Sequence, residues 1–416
     1  MGVRRVARAL IAVTGTSLCG LVVAGIGNAN AADVLKAPGQ ASGVYLTECP
    51  LFGAGFVKLP GTDTCLDLSG NVRSDTVVSN KILETDPQTS FYARGSLRMD
   101  SRTATEYGTL RSYFSFYMFQ QTPGSMTLPT GDDDDSSLAN GAALERAFIQ
   151  FYGLTAGYTL SNFDFSGGLN YYRPRVSLTK TEQLAYTLQL NPALTATLAI
   201  ENGYPRQTAI DDDPLGFYGN QEIPDIVGQL LYATPVMELQ LSGAMHQINP
   251  ISDNYDSRLG YAVQAGFSYR FGIPTSGPEL MDPGLLDYQL PRLVVSTAYA
   301  SGAASYLGFN NDVADAVAYA GDYGLSTGWN VMAAYRHPWS RKWRSSVSGS
   351  YAELDFAEDS TLPDLREFQV GANLVFSPVL GLDIGGEMVF IKQNVPYVDS
   401  DTDHRLVGRL RIERRF

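Results

Sequence analysis

The sequence predicts an all-β protein, a 16-stranded antiparallel transmembrane β-barrel with short periplasmic turns and long external loops. Three observations predict it. Side chains alternate between apolar and polar along many short segments, the connections alternate between tight and long, and the final segment ends on Phe416. Within 405–416, four apolar side chains share one parity and four arginines share the other. Because side chains alternate between the faces of a strand, one face is apolar and one is cationic, as between lipid and a wet lumen.

The N-terminal segment predicts export. Arginines at positions 4, 5 and 8 precede an apolar run, and Ala29-Asn30-Ala31 has the small-x-small pattern of a cleavage site. We therefore expect residues 1–31 to be a secretory signal peptide, cut between Ala31 and Ala32. After it, no apolar stretch of about 18 residues predicts a transmembrane helix.

The net charge of the chain is −13. Because phosphate binding requires a basic surface, this acidity argues against nucleic acid as a partner. The length of the chain is consistent with two or three soluble domains or with a single large barrel. We expect the barrel to comprise residues 65–416.

Cys49 and Cys65 remain after cleavage, in what we expect to be an N-terminal periplasmic segment, residues 32–64, joined to the barrel. The oxidising periplasm favours a disulfide between them over two free thiols.

Sixteen segments have strand periodicity and are separated by turn chemistry. They are 65–73, 91–100, 109–118, 145–152, 155–160, 183–190, 194–202, 226–233, 236–247, 260–270, 291–300, 327–336, 342–354, 365–376, 380–392 and 404–416. The connection 271–290 is long where a short turn is due, which we interpret as an extended periplasmic turn.

The charged parity predicts which face is wet. An arginine facing lipid at the bilayer midplane costs about 2–4 kcal/mol, so the arginine-bearing face belongs to the lumen. At about 16 strands, side chains do not fill the interior and an aqueous channel remains. A soluble secreted β-protein is the alternative, but it requires an apolar interior.

Several segments resemble the alphaproteobacterial general porins of the rhizobial and Brucella type. The resemblance lies, in order, in GAGFVKLPGTDTCLDLSGNVR (53–73), TEYGTLRSYFSFY (105–117), FIQFYGLTAGYTLSNFDF (148–165), IVGQLLY (226–232), YRHPWSRKWRSSVSGSYAELD (335–355) and VGANLVFSPVLGLDIGGE (370–387). It implies a homotrimer in the outer membrane, in contact with lipid and lipopolysaccharide, that passes ions and small hydrophilic solutes passively. It also implies that a third external loop, about 161–180, folds into the barrel and narrows it.

Permeation needs a polar constriction with a defined field, because rings of charged side chains set ion preference. The predicted pore-lining arginines share the polar parity of the first four strands: Arg73, Arg94, Arg98, Arg111 and Arg146. Asp164 is the candidate opposing charge on the inserted loop, although capping that loop or clamping it to an arginine is an equally open role.

No catalyst, cofactor or metal site is predicted. The acidic runs at 132–135 and 211–213 lack the ligand spacing of a calcium loop, so a solvated external loop is favoured over a calcium site. A bridge by divalent ions between these loops and lipopolysaccharide stays open. The three histidines show no metal spacing, and no G-x-S-x-G motif is present. The alternatives to a general diffusion channel are a substrate-specific outer-membrane channel, an adhesion or receptor barrel that uses its loops, and an outer-membrane enzyme.

Overall fold

Long strands with alternating exposure dominate the computed structural model. It describes residues 47–53, 55–80, 88–122, 139–208, 210–211, 218–251, 255–272, 290–309, 313–319, 322–357, 363–394 and 403–416. The barrel strands are β1 (Thr64–Ser79), β2 (Thr89–Thr105), β3 (Gly108–Gln121), β4 (Asn140–Phe151), β5 (Leu154–Leu160), β6 (Lys180–Asn191), β7 (Leu194–Glu201), β8 (Asp225–Ala233), β9 (Met237–Ile248), β10 (Arg258–Arg270), β11 (Arg292–Ser301), β12 (Thr327–Pro338), β13 (Trp343–Asp355), β14 (Leu365–Val379), β15 (Leu382–Gln393) and β16 (His404–Arg415). All sixteen predicted strands are confirmed.

The sheet closes on itself. Each strand pairs antiparallel with its neighbour in the chain, and β16 pairs with β1 over Asn71 to Ser79. The seam extends past the ladder, because Phe416 N–H donates to the Gly70 carbonyl at 3.0 Å and Gly70 N–H donates to the Phe416 carbonyl at 2.9 Å. Closure removes free strand edges, which lipid cannot hydrate.

Exposed apolar side chains cover the outer face. Val72, Leu198, Leu241, Met388 and Leu410 are each at least half exposed, while the polar parity of the same strands is buried or half-buried inside. This inverted pattern is that of a wall between lipid and water. The described residues contain no helix that is both long and apolar enough to cross a membrane.

Tight turns join the strands at one end, except for the long connection between β10 and β11. Residues Tyr152 and Gly153 connect β4 to β5 with φ of 50° and 85°, the left-handed pair that a two-residue hairpin requires. At the other end the connections are long. Those after β7 and β11 (loop 4, 202–224, and loop 6, 302–326) pair with each other where Ile210–Asp211 and Ala316–Tyr319 form a parallel ladder.

The segment before β1 is attached to it. Val57–Lys58 pair with Leu66 and Cys65, and a disulfide joins Cys49 to Cys65. The expected signal peptide with its Ala31–Ala32 cleavage site, the run 132–135 and most of the turn 271–290 lie outside the described residues.

Candidate functional site in the barrel lumen

The connection between β5 and β6, residues 161–179 (loop 3), lies inside the barrel. Near its start, Asn162 N–H donates to Glu201 of β7 at 2.8 Å. The Phe163 carbonyl then accepts hydrogen bonds from Gln240 Nε2 at 3.0 Å and from Ser242 Oγ at 2.8 Å, both on β9. These contacts place the first turn of loop 3 against the inner wall, as the resemblance to porins implies.

The later part of loop 3 reaches the other side of the lumen. Tyr171 and Tyr172 N–H groups donate to the Glu387 carboxylate of β15 at 2.7 and 2.6 Å. Arg175 Nε donates to Glu367 of β14 at 2.9 Å. Arg409 Nη1 of β16 also donates to the Tyr171 carbonyl at 3.2 Å. Loop 3 therefore follows the inner wall from β7 to β16, and the inner face of β1–β4 makes none of these hydrogen bonds.

Glycines on the wall make room for the aromatic side chains of loop 3. A Cβ at Gly266 would clash with the ring of Phe165, and a Cβ at Gly385 would clash with the side chain of Tyr171. These two close approaches explain why glycine stands at inward-facing positions of β10 and β15.

Asp164 does not present its carboxylate to the lumen, and this burial does not support its predicted role as the opposing charge. Its side chain is 2% exposed and lies 3.2 Å from Arg206 Nη2 of loop 4, whose side chain is 1% exposed. The same carboxylate accepts hydrogen bonds from Ser177 Oγ at 2.5 Å and from Thr179 N–H at 2.6 Å. Asp164 is instead the clamp that holds both ends of loop 3, and its partner comes from another external loop.

Loops 4 and 6 extend this buried polar cluster. The Arg206 guanidinium lies 3.9 Å from the ring centroid of Tyr306, and Tyr306 Oη donates to Asp225 at 2.6 Å. Asp225 also lies 2.9 Å from His246 Nδ1. Burial raises the pKa of Tyr306 well above its ordinary value, so its hydroxyl stays neutral and donates.

Asp315 closes the cluster from the loop 6 side. It accepts hydrogen bonds from Ala304 N–H and Tyr218 Oη, both at 2.6 Å. Burial and the neighbouring Asp315 raise the pKa of Tyr218 well above its ordinary value. The three external loops therefore form one hydrogen-bonded body inside the barrel.

All five predicted arginines lie on the lumen parity, but three of them have carboxylate neighbours on the same wall. Arg111 Nη2 lies 2.9 Å from Asp100, and Arg94 Nη2 lies 3.0 Å from Glu145. Arg73 Nε lies 3.6 Å from Asp75.

Tyrosine rings also pack against all three of these paired arginines, and Arg111 lies 5.3 Å from the ring centroid of Tyr113. Arg94 lies over the ring of Tyr117 at 3.8 Å, and Arg73 lies over the ring of Tyr92 at 4.9 Å. These contacts hold the guanidinium groups against the wall and reduce their reach into the lumen.

Arg98 and Arg146 differ from the other three. Both are half-buried, and neither has an ion pair or hydrogen bond with any residue that the structure describes. They flank Ser115, which stands opposite Arg98 across the β2–β3 ladder and opposite Arg146 across the β3–β4 ladder. The structure thus brings these two predicted residues together as neighbouring arginines that have no ion pair among the described residues.

Sequence reasoning did not pair the wall carboxylates with the arginines, and it missed the loop cluster. Asp75 and Asp100 share the parity of Arg73 and Arg98, so strand periodicity was sufficient to place them on the wet face. No periodicity places Arg206 against Asp164, because that contact joins two irregular loops.

The comparisons with known proteins agree with this architecture. A family model described as "Porin subfamily" matches residues 40–407. The chain belongs to this porin family. With the closed barrel and its apolar outer face, membership places the protein in the outer membrane.

Two named relatives illustrate the similarity. Porin Omp2b of Brucella suis biovar 1 (strain 1330) is 30% identical over 218 residues, which are 49% of this chain and 58% of that protein. Porin Omp2b of Brucella melitensis biotype 1 is 29% identical over 218 residues, which are again 49% of this chain and 58% of that protein. The matched segment therefore spans less than two thirds of these relatives.

Solved structures share the fold of this porin. The outer membrane channel DcaP of Acinetobacter baumannii superposes with a TM-score of 0.66 at 15% identity, covering 87% of this chain and 100% of that one. Salmonella typhi OmpF superposes with a TM-score of 0.51 at 9% identity, covering 85% of this chain and 98% of that one.

Proposed function

We propose that this porin forms a water-filled passive diffusion channel for ions and small hydrophilic solutes. One observation carries the proposal: a closed barrel of sixteen strands has charged side chains on its inner parity and a loop across its interior. At this strand number the interior is too wide for side chains to fill, and the inserted body narrows what remains.

Three further features belong to the same proposal. The resemblance to general porins supports a homotrimer in contact with lipid and lipopolysaccharide. Passive permeation requires no cofactor and no catalytic group, and porin family membership supports a channel rather than an enzyme. Saturable uptake of one solute would favour the substrate-specific alternative, and host or phage binding without conductance would favour the adhesion alternative.

Planar-bilayer recording of the purified protein tests the proposal. We expect stepwise conductance, and we expect replacement of Arg94, Arg98 and Arg111 by glutamine to shift the reversal potential in a salt gradient toward cation selectivity. The variant removes three cations and leaves Glu145 without its ion pair, while Asp100 keeps only its pair with Arg102.

A matched control removes charge elsewhere. Arg341→Gln with Lys342→Gln alters two exposed cations in the turn between β12 and β13 and should leave the reversal potential near that of the wild type. Liposomes that stay impermeable to ions and sugars after the protein is inserted would contradict the channel.

A further inference from the structure

We propose that Arg98 and Arg146 form a binding site for oxyanions, the carboxylate and phosphate class, on the permeation path, and that this site makes the channel prefer anions. The inference rests on the proposed channel function and names its preferred solutes. The inference is based on the positions of the charged side chains in the lumen and on which of them have ion-pair partners.

The two arginines are positioned to act on one anion. Ser115 lies directly between them on the central strand of three, so their Cα atoms are separated by two strand spacings, about 10 Å. Arginine side chains are long enough for both guanidinium groups to reach an anion held above Ser115. A guanidinium presents its N–H donors as a planar fork that matches the two oxygens of an oxyanion.

Ser115 supports a site at this position. Its side chain is fully buried, and its hydroxyl has no hydrogen-bond partner among the described residues. A buried hydroxyl without a partner is unusual in a folded protein, and an acceptor between the two arginines would satisfy it.

The wall around the site is cationic. On the inward parity of β16 and β1–β4 the structure places ten arginines and five carboxylates. The arginines are Arg73, Arg94, Arg98, Arg102, Arg111, Arg146, Arg405, Arg409, Arg411 and Arg415, and the carboxylates are Asp67, Asp75, Asp100, Glu145 and Glu413.

Loop 3, on the opposite side of the passage, does not balance this charge. The charged residues of loop 3 are Asp164, Arg173 and Arg175, and the one carboxylate among them is buried against Arg206. Loop 3 therefore contributes no exposed acid to the passage.

Wall carboxylates behind the loops are covered as well. Glu367 binds Arg175, Glu387 binds the backbone of Tyr171 and Tyr172, and Glu201 binds Asn162. Each of these three carboxylates is at most 4% exposed. A permeating anion thus meets attraction from one wall and little repulsion from the other.

Reversal potentials of the full-length protein in planar bilayers test the site. With a potassium chloride gradient, we expect the wild type to prefer chloride, and we expect Arg98→Gln with Arg146→Gln to lower the chloride-to-potassium permeability ratio by about tenfold, because two charges near the path are lost. The Arg341→Gln, Lys342→Gln protein is the charge-matched control and should keep the wild-type ratio.

Oxyanion binding is measured separately, as the reduction of chloride current by added potassium phosphate or potassium acetate. We expect saturable reduction in the wild type. Arg98→Lys with Arg146→Lys keeps both positive charges but removes the planar guanidinium donors. This variant should therefore still prefer chloride, while the oxyanion concentration needed for half-maximal reduction of the current should be higher than in the wild type.

The outcomes separate the inference from the channel proposal. Absence of conductance in all variants would overturn the channel and the site together. Normal conductance with the same permeability ratio in the wild type and the glutamine variant would overturn the site alone. The proposed site would also be overturned if phosphate and acetate reduced the chloride current of the lysine and glutamine variants as strongly as that of the wild type.

Discussion

At the scale of single residues, the partner of each charge decides what it contributes. Arg94 and Arg98 lie on the same strand and the same parity, yet Arg94 is paired with Glu145 and Arg98 is unpaired among the described residues. Glu145 is the extra residue of β4 where the register shifts between Ser115 and Phe116, and its side chain lies on the lumen side beside that of Arg146. A bulge of this kind redirects a side chain without breaking the sheet.

The disulfide gives a prediction at this scale. Replacing Cys49 and Cys65 with serine should lower the free energy of unfolding by about 3 kcal/mol, because a closed loop of about this length restricts the unfolded chain. Equilibrium unfolding in guanidinium with liposomes measures the change, with the reduced wild type as the comparison. Single-channel conductance should stay at the wild-type value, since the bond lies at the start of β1 and away from loop 3. Equal unfolding midpoints for all three proteins would contradict the prediction.

At the scale of elements, three loops rather than one form the hydrogen-bonded body inside the barrel. Loop 3 is held by the wall, by Arg206 of loop 4 and, through Tyr306, by loop 6. Residues Ala304, Tyr306 and Leu307 also pack in the same apolar cluster as Phe163. The position of loop 3, and with it the width of the passage, therefore depends on the external loops.

Asp164→Asn tests this arrangement. Breaking a buried ion pair by removing one charge costs about 3–5 kcal/mol of stability. Because Asp164 is not part of the barrel ladder, we expect this loss to weaken the attachment of loop 3 to the wall rather than the barrel itself. We expect larger and noisier single-channel conductance with a folded barrel, measured in bilayers and by circular dichroism.

A lumen carboxylate outside the loop body serves as the control. Glu238 pairs with Arg270 and Arg292 on the β9–β11 wall, and Glu238→Gln should leave the conductance fluctuations at the wild-type level. Quiet, wild-type currents from Asp164→Asn would show that the clamp does not position loop 3.

At the scale of the whole molecule, closure and the two faces of the wall determine the fold. Every barrel strand has two antiparallel neighbours, and the seam between β1 and β16 includes the C-terminal residue Phe416. The outward parity is apolar and the inward parity is polar, so the same ladder satisfies the backbone and separates lipid from water.

Two arginine insertions on β1 test the assignment of the faces. Val72 is 57% exposed on the outer face in the middle of the strand, and Val72→Arg should cost about 2–4 kcal/mol of folding free energy in liposomes. The neighbouring Asn71 faces inward and donates to Glu413 at 3.1 Å, so Asn71→Arg should cost far less. Unfolding midpoints in guanidinium compare the two, and equal losses would contradict the assignment.

The sequence by itself determined the strands, their faces and the sides on which turns and loops lie, because a period of two and the chemistry of turns are local properties. It also placed Arg73, Arg94, Arg98, Arg111 and Arg146 on the wet face for the same reason. Only the tertiary structure decided which of those arginines are neutralised and that Asp164 is buried, since these depend on register across strands and on loops distant in sequence. Strand periodicity predicts the face on which a side chain lies, whereas contacts between segments distant in sequence determine its partners.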